Sequence, residues 1–303
     1  MDFDFIVIGA GPAGLSAAAH LQKAQRRVLV IERESFGGRV GNLEWIDDYP
    51  AKGERIEGPK LANALVEAAR GAKLELGEVI ELESYSGCRS VTLADGKAYT
   101  APVVIIAGGI KTRPLGIPGE DKYQGKGIIQ CAFCDGGLYS NKPVAVCGGG
   151  DAGIREALYL SKFASVVHVL EIDNQLSARA DLQASARANA KLDIRLGCKP
   201  TAILGADGVT GVEVETVSNG TRETLGVIGV LVHAGFDPAS GCLEGVVELD
   251  ERGYTRIAAD GLTGAEGIFS AGDIRAGSRR NVMEAIADGM AAAAAARALL
   301  DHG

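Results

Sequence analysis

The chain has 303 residues, a net charge of −8 and 42 glycines. That length favours about two domains. Without a basic run or stripe the acidic balance argues against a nucleic-acid partner, and no apolar run approaches the ~18 residues that cross a bilayer, so no membrane is expected. Glycine stands at about twice its usual ~7% without forming a repeat, which points to tight turns and close backbone approach.

The N-terminus, "MDFDFIVIGAG", has no basic region and no cleavage site and enters a strand directly. A cytoplasmic location is therefore expected. In that compartment structural disulfides are rare, and a Cys-x-x-Cys pair is more often catalytic or metal-binding.

Residues 5–32, "FIVIGAGPAGLSAAAHLQKAQRRVLVIE", run as apolar strand, glycine turn, Ala-rich helix, apolar strand and acid. Residues 144–171, "VAVCGGGDAGIREALYLSKFASVVHVLE", repeat that order. Gly9, Gly11 and Gly14 form G-x-G-x-x-G in the first, and Gly148, Gly150 and Gly153 in the second. Glu32 lies as far beyond Gly9 as Glu171 beyond Gly148. A G-x-G-x-x-G that follows a strand, opens a helix and ends in an acid at this distance is a dinucleotide-binding fingerprint. The first two glycines let backbone approach a pyrophosphate at the helix N-terminus, the third lets helix and strand pack, and the acid accepts bonds from a ribose.

Between the copies, "RPLGIPGED" (113–121) suits a domain crossing, and "HAGFDPASG" (233–241) suits the return. Near the end, "GIFSAGD" reads as a strand closing on Asp273, and a long Ala-rich helix follows. The expected fold is α/β, with two Rossmann-like dinucleotide-binding domains in three layers, the second inserted in the first. Residues 1–114 and 242–303 form the outer domain, and 115–241 the inserted one.

Cys131 and Cys134 lie in "IIQCAFCDGGLY" (128–139), just before the second fingerprint. Zinc needs about four ligands. No second Cys-x-x-Cys exists, Cys88, Cys147, Cys198 and Cys242 are isolated, and His20, His168, His233 and His302 form no spaced pair. A redox dithiol fits better, because a helix N-terminus favours the reactive thiolate. Asp135 follows at once, as a proton-exchanging acid, a helix cap, or both.

The sequence resembles the low-molecular-weight thioredoxin reductases over essentially its whole length. The resemblance rests on "GAGPAGLSAA", "GGRV", "GPKL", "RPLGIPGE", "CAFCDG", "GGGDAGIREAL", "GIFSAGD" and "RRN" at the last helix. It implies an FAD flavoprotein disulfide oxidoreductase, homodimeric, acting on thioredoxin or another dithiol/disulfide. Reduced nicotinamide would pass electrons to FAD and on to the Cys131–Cys134 disulfide. Cys134 would sit nearer the flavin, Cys131 would attack the substrate, and Asp135 would be the acid/base. The resemblance further implies FAD contacts for Gly9, Gly11, Pro12, Ala13, Gly14, Glu32, Gly38, Val79 (backbone to adenine) and Asp273; Gly148, Gly150, Asp151, Gly153 and Glu171, in the second fingerprint, are expected to contact a nicotinamide dinucleotide.

Three departures stand out. Family members that use NADPH carry His-Arg-Arg after the second strand of the inserted domain; here the place reads "LEIDN", with Glu171 and Asp173. Carboxylates repel a 2′-phosphate, whereas a bare ribose donates to Glu171, so NADH is expected over NADPH. Arg179 is the nearby candidate to offset that charge. Asp48 stands where the family usually has asparagine near the flavin, and Arg39 where it has glutamine. Arg39 would bond flavin or phosphate oxygens, or pair with Asp48. The last helix opens Arg279-Arg280-Asn281, so that Asn281 and the Val282 amide either meet the flavin's pyrimidine edge or serve as a plain helix cap. These departures keep two kinds of relative in view, ferredoxin-linked thioredoxin reductases and oxygen-dependent dithiol oxidases. A redox sensor would not need "CAFCD".

Overall fold

The computed structural model describes residues 1–47, 49–51 and 53–302. It divides into two compact units, Met1–Lys111 with Asp237–Gly303, and Thr112–Phe236.

In chain order, β1 (Phe5–Ile8), α1 (Pro12–Lys23) and β2 (Val28–Glu32) form the first βαβ unit. A small antiparallel pair follows, β3 (Trp45–Asp47) and β4 (Arg55–Glu57), then α2 (Gly58–Ala68) and β5 (Lys73–Leu76). Next come β6 (Val79–Tyr85), β7 (Cys88–Leu93), β8 (Ala98–Ala101) and β9 (Val103–Ile106), and the chain leaves along β10 (Ile110–Thr112). The second unit carries β11 (Ile128–Ile129), the one-turn helix α3 (Ala132–Asp135), β12 (Pro143–Cys147), α4 (Asp151–Leu160), β13 (Val166–Glu171), α5 (Ala180–Ala188) and β14 (Leu192–Leu196). It continues through β15 (Cys198–Gly205), β16 (Val209–Thr216), β17 (Arg222–Leu225) and β18 (Gly229–Val232). The chain returns along β19 (Phe236–Pro238) to β20 (Ile268–Ser270) and α6 (Val282–His302).

Each unit has a five-stranded parallel sheet, ordered β20-β9-β1-β2-β5 in the first and β11-β18-β12-β13-β14 in the second. Parallel strands are covered on both faces, which is why β1 ("FIVI") and β9 ("VVII") are unbroken apolar runs. In the first unit Phe5, Val7 and Val30 pack with residues of α1, α2 and α6. Ile6, Leu29 and Ile31 face the other way, onto Leu82, Val91 and Leu93 of the antiparallel sheet β6-β7-β8. The second unit repeats the scheme: Val144, Val146, Val167 and Val169 pack with Ile154, Ala157 and Leu160 of α4. Its Ala145, Cys147 and Val230 meet Val212, Val214 and Leu225 of β15-β16-β17. Both units are Rossmann-like, in three layers.

In the first unit, α6 crosses α1 at backbone contact. A Cβ on Gly289 would lie 2.0 Å from the Ala13 carbonyl oxygen, so only glycine permits the crossing.

Candidate redox and dinucleotide sites

The glycines of each loop divide their work. Gly9 has φ +103°, and a Cβ there would lie 2.2 Å from the carbonyl oxygen of Ala107, the residue after β9. Gly14 presses on the Gly9 carbonyl, where a Cβ would come to 1.9 Å. A Cβ on Gly11 would meet nothing within 4 Å. The second loop repeats this: Gly148 (φ +122°) lies against the His233 carbonyl, Gly153 against the Gly148 carbonyl, while a Cβ on Gly150 would meet only Ser177 Oγ at 3.5 Å. The spacing assigned the first two glycines to the pyrophosphate; in the fold the first is consumed by the turn and its packing, and the open position is the second.

The two terminal acids also repeat one another. Glu32 accepts the Ala10 N–H at 2.7 Å on one oxygen and the Glu34 N–H at 2.9 Å on the other. Glu171 accepts the Gly149 N–H at 2.6 Å and the Asp173 N–H at 3.1 Å. Each carboxylate thus clasps its own glycine loop, and a carboxylate with about four lone-pair sites keeps capacity for ribose hydroxyls. Val79 opens β6 close by, two residues after Gly77, whose N–H donates to the Glu32 carbonyl at 2.8 Å.

Pro12 and Asp151 open α1 and α4. Asp151 accepts the Arg179 N–H at 2.7 Å, and the Arg179 guanidinium also lies 3.0 Å from Asp181 and 3.6 Å from Asp151. The cation considered as a counter to the Glu171 charge is therefore already paired with two carboxylates.

Elsewhere in the first unit, a Cβ on Gly38 would lie 2.8 Å from the Gly11 Cα, and one on Gly272 would lie 2.8 Å from the buried Ala13 side chain. The Gly38 turn and the β20 turn are thus pressed against the start of α1. Asp273 follows Gly272. Burial pushes its carboxyl above the usual range, against the Ser278 hydroxyl, which donates to it at 3.0 Å, and the opposing charges of Arg280 and Arg39. Arg39 is thereby placed within Coulombic reach of Asp273; Asp48, its other candidate partner, lies outside the described residues. The Asn281 side chain accepts the Glu284 N–H at 2.8 Å, so it caps α6. Val282 is the first residue of α6, where an N–H has no intrahelical partner.

Cys131 and Cys134 are joined as a disulfide. Cys131 is the N-cap of α3, and its sulfur accepts the Cys134 N–H at 3.0 Å. Such a bond favours a thiolate on Cys131 once the bridge opens. Cys131 is 6% exposed, whereas Cys134 is on the surface. Asp135 closes α3; its charge, after burial, helps push the Tyr139 hydroxyl pKa upward.

The sequence profile of the pyridine nucleotide-disulphide oxidoreductases matches residues 3–292. The chain belongs to this family. It is 38% identical over 298 residues to thioredoxin reductase of Bacillus subtilis, covering 96% of this chain and 92% of that protein. Its fold superposes on the crystal structure of Lactococcus lactis thioredoxin reductase with a TM-score of 0.92, at 30% identity, covering 99% of this chain and all of the other. T. acidophilum thioredoxin reductase gives 0.90 at 29% identity, with 98% of each chain covered.

Within the family, this pyridine nucleotide-disulphide oxidoreductase is of the low-molecular-weight thioredoxin reductase type, an FAD-dependent disulfide oxidoreductase. The first unit fits that cofactor on its own geometry: an open Gly11 at a helix N-terminus, a ribose acceptor in Glu32, and a buried Asp273 with a donor and two cations around it. The four remaining cysteines are free thiols, Cys147 and Cys198 buried and Cys88 and Cys242 half-buried. Burial pushes the Cys147 thiol up to about 12, and burial also raises Cys198 and Cys242. Iodoacetamide applied to the dithiothreitol-reduced native protein at pH 8 is expected to modify Cys134 and Cys131 while leaving Cys147 unlabelled, as read by peptide mass spectrometry. Prompt labelling of Cys147 would show that its strand is not closed over.

One arrangement was not legible from spacing. His233 and Glu156, 77 positions apart, face each other beside the second glycine loop, with Nε2 2.9 Å from Oε1. A lone histidine and a helix glutamate carry no pairing signal until the sheet brings β18 and α4 together.

Proposed function

We propose that this chain is a thioredoxin reductase using NADH as electron donor, and that it reduces the disulfide of thioredoxin or another dithiol carrier. Gly11, Glu32, Asp273 and the loops around them would hold FAD, which when bound supplies two-electron acceptance from a hydride donor and delivery to a disulfide. The chain's own residues do the remainder. The Gly148–Gly153 loop and the start of α4 take the donor's pyrophosphate. Glu171 takes the hydroxyls of its adenosine ribose.

Two electrons and a proton open the Cys131–Cys134 bond into a thiol and a thiolate. The Cys131 thiolate, stabilised by the Cys134 N–H, attacks the acceptor disulfide; an S–S bond forms to Cys131, and the acceptor's other sulfur leaves and takes a proton. Cys134 then attacks the Cys131 sulfur, which restores the internal disulfide and releases the acceptor's second sulfur, protonated in turn. Asp135 is the acid/base adjoining these sulfurs. The assembly is a homodimer in the cytoplasm.

The observation that carries the choice of donor is the buried Glu171 carboxylate, clasping its loop as Glu32 does, with Asp173 beside it. Anaerobic titration of the yellow protein tests the reading: NADH is expected to bleach the flavin near stoichiometrically. Bleaching by a dithiol alone, with neither nicotinamide effective, would refute it.

A further inference from the structure

A pocket of about 130 Å3 in the second unit is lined by residues at and just beyond the carboxyl ends of β11 and β18, among them Gln130, Val232 and His233, and by Arg113 and Gln124. Ligands of parallel α/β sheets bind outside those ends, where the strand order reverses. Here the reversal lies at β12, with β13 and β14 to one side and β18 and β11 to the other. Glu171 ends β13 and marks the adenosine half of a dinucleotide, and the Gly148 loop marks its pyrophosphate. The other half falls over β18 and β11, at this pocket. Its volume is small beside the ~300–1,000 Å3 of whole-ligand clefts, as suits one ring with its substituent.

His233 follows β18 at once. Its N–H donates to the Cys147 carbonyl at 2.7 Å, and its own carbonyl lies against Gly148. The side chain is 8% exposed, and Glu156, which it faces, is 17% exposed. The 2.9 Å approach is not aligned as a hydrogen bond. His233 Nδ1 and Nε2 and Glu156 Oε2 are all buried without a hydrogen-bond partner. Buried polar groups in native proteins are normally satisfied, and three orphans at one spot call for a partner from outside the chain. The partner must both donate and accept, because an imidazole offers one donor and one acceptor and the carboxylate accepts only. An anion is disfavoured beside Glu156.

We propose that His233 and Glu156 are a positioning pair for the nicotinamide carboxamide of the dinucleotide, whose NH2 donates and whose C=O accepts. This rests on the nicotinamide-donor reading above and adds the residues that hold its reactive end. One ring nitrogen then donates to the amide oxygen, and the other ring nitrogen and Glu156 Oε2 accept from its NH2.

The test compares NAD+ with ADP-ribose, which lacks the nicotinamide, by isothermal titration calorimetry on the oxidised holoenzyme. His233→Phe is expected to weaken NAD+ about tenfold, as for one lost buried hydrogen bond, and to leave ADP-ribose within twofold. His233→Asn should regain part of the loss, and Glu156→Gln, which keeps the shape, should weaken NAD+ selectively as well. Unchanged ADP-ribose affinity certifies the fold of each variant. Equal losses for both ligands in both the His233→Phe and Glu156→Gln variants, or an unchanged NAD+ affinity in them, would overturn the proposal. If the unmodified holoenzyme binds neither ligand, the nicotinamide-donor reading falls, and the proposal with it.

Discussion

Cys134→Ser is expected to lower disulfide-reductase turnover by roughly a thousandfold or more, while the protein stays yellow and NADH still bleaches it. A serine hydroxyl cannot form or leave from an S–S bond, so electrons reaching the flavin have no exit to the acceptor. The buried thiols cannot take over: Cys147 is buried with its pKa pushed up to about 12, and Cys198 is buried among apolar residues of the β15–β17 face. Cys131→Ser should be equally silent in turnover, since it removes the sulfur that the Cys134 N–H stabilises. The measurement is NADH oxidation coupled to thioredoxin reduction, beside an anaerobic flavin spectrum. Turnover within a few-fold of the unmodified enzyme in either variant would remove the Cys-x-x-Cys pair from the mechanism.

The second large effect concerns the donor. NADH is expected to exceed NADPH in kcat/KM by at least about tenfold. A 2′-phosphate brings one and a half to two negative charges to a site already holding Glu171 and the exposed Asp173. Like unit charges ~4 Å apart cost about 1 kcal/mol at the dielectric of water and about 4 at an effective value near 20, and ~1.4 kcal/mol is tenfold. Arg179 does not relieve this, because its guanidinium is held by Asp151 and Asp181. Asp173→Arg is the informative variant. Only the Asp173 backbone N–H binds Glu171, so the loop clasp survives the change of side chain, and the preference should narrow by about an order of magnitude. Steady-state kinetics with both nucleotides measures this; an unmodified enzyme that prefers NADPH would refute the assignment.

Much of this was legible in the residues alone, and the reason is local. A β-branched strand, a G-x-G-x-x-G turn and a helix within thirty residues fix one βαβ unit whatever lies around it, so two such stretches were enough to give the α/β class and its two Rossmann-like folds. The departures at Arg39 and Asn281 were visible as departures, but their meaning was not. Asn281 became a helix cap only when α6 was seen to start at Val282, and Arg39 acquired a partner only when the turn at Gly38 was seen pressed against Gly11, in the unit that holds Asp273.

Sequence by itself determined the doubled nucleotide fold, the acids that end each copy, and the thiol pair set before the second, because each is a pattern of residues a few positions apart and short-range geometry follows from spacing. Tertiary structure decided which glycine stands open, which cation is already neutralised, that each acid grips its own loop, and that a histidine after β18 meets a glutamate on α4. Those outcomes depend on which strands become neighbours in a sheet, and neighbourhood there is set by the packing of whole layers rather than by distance along the chain.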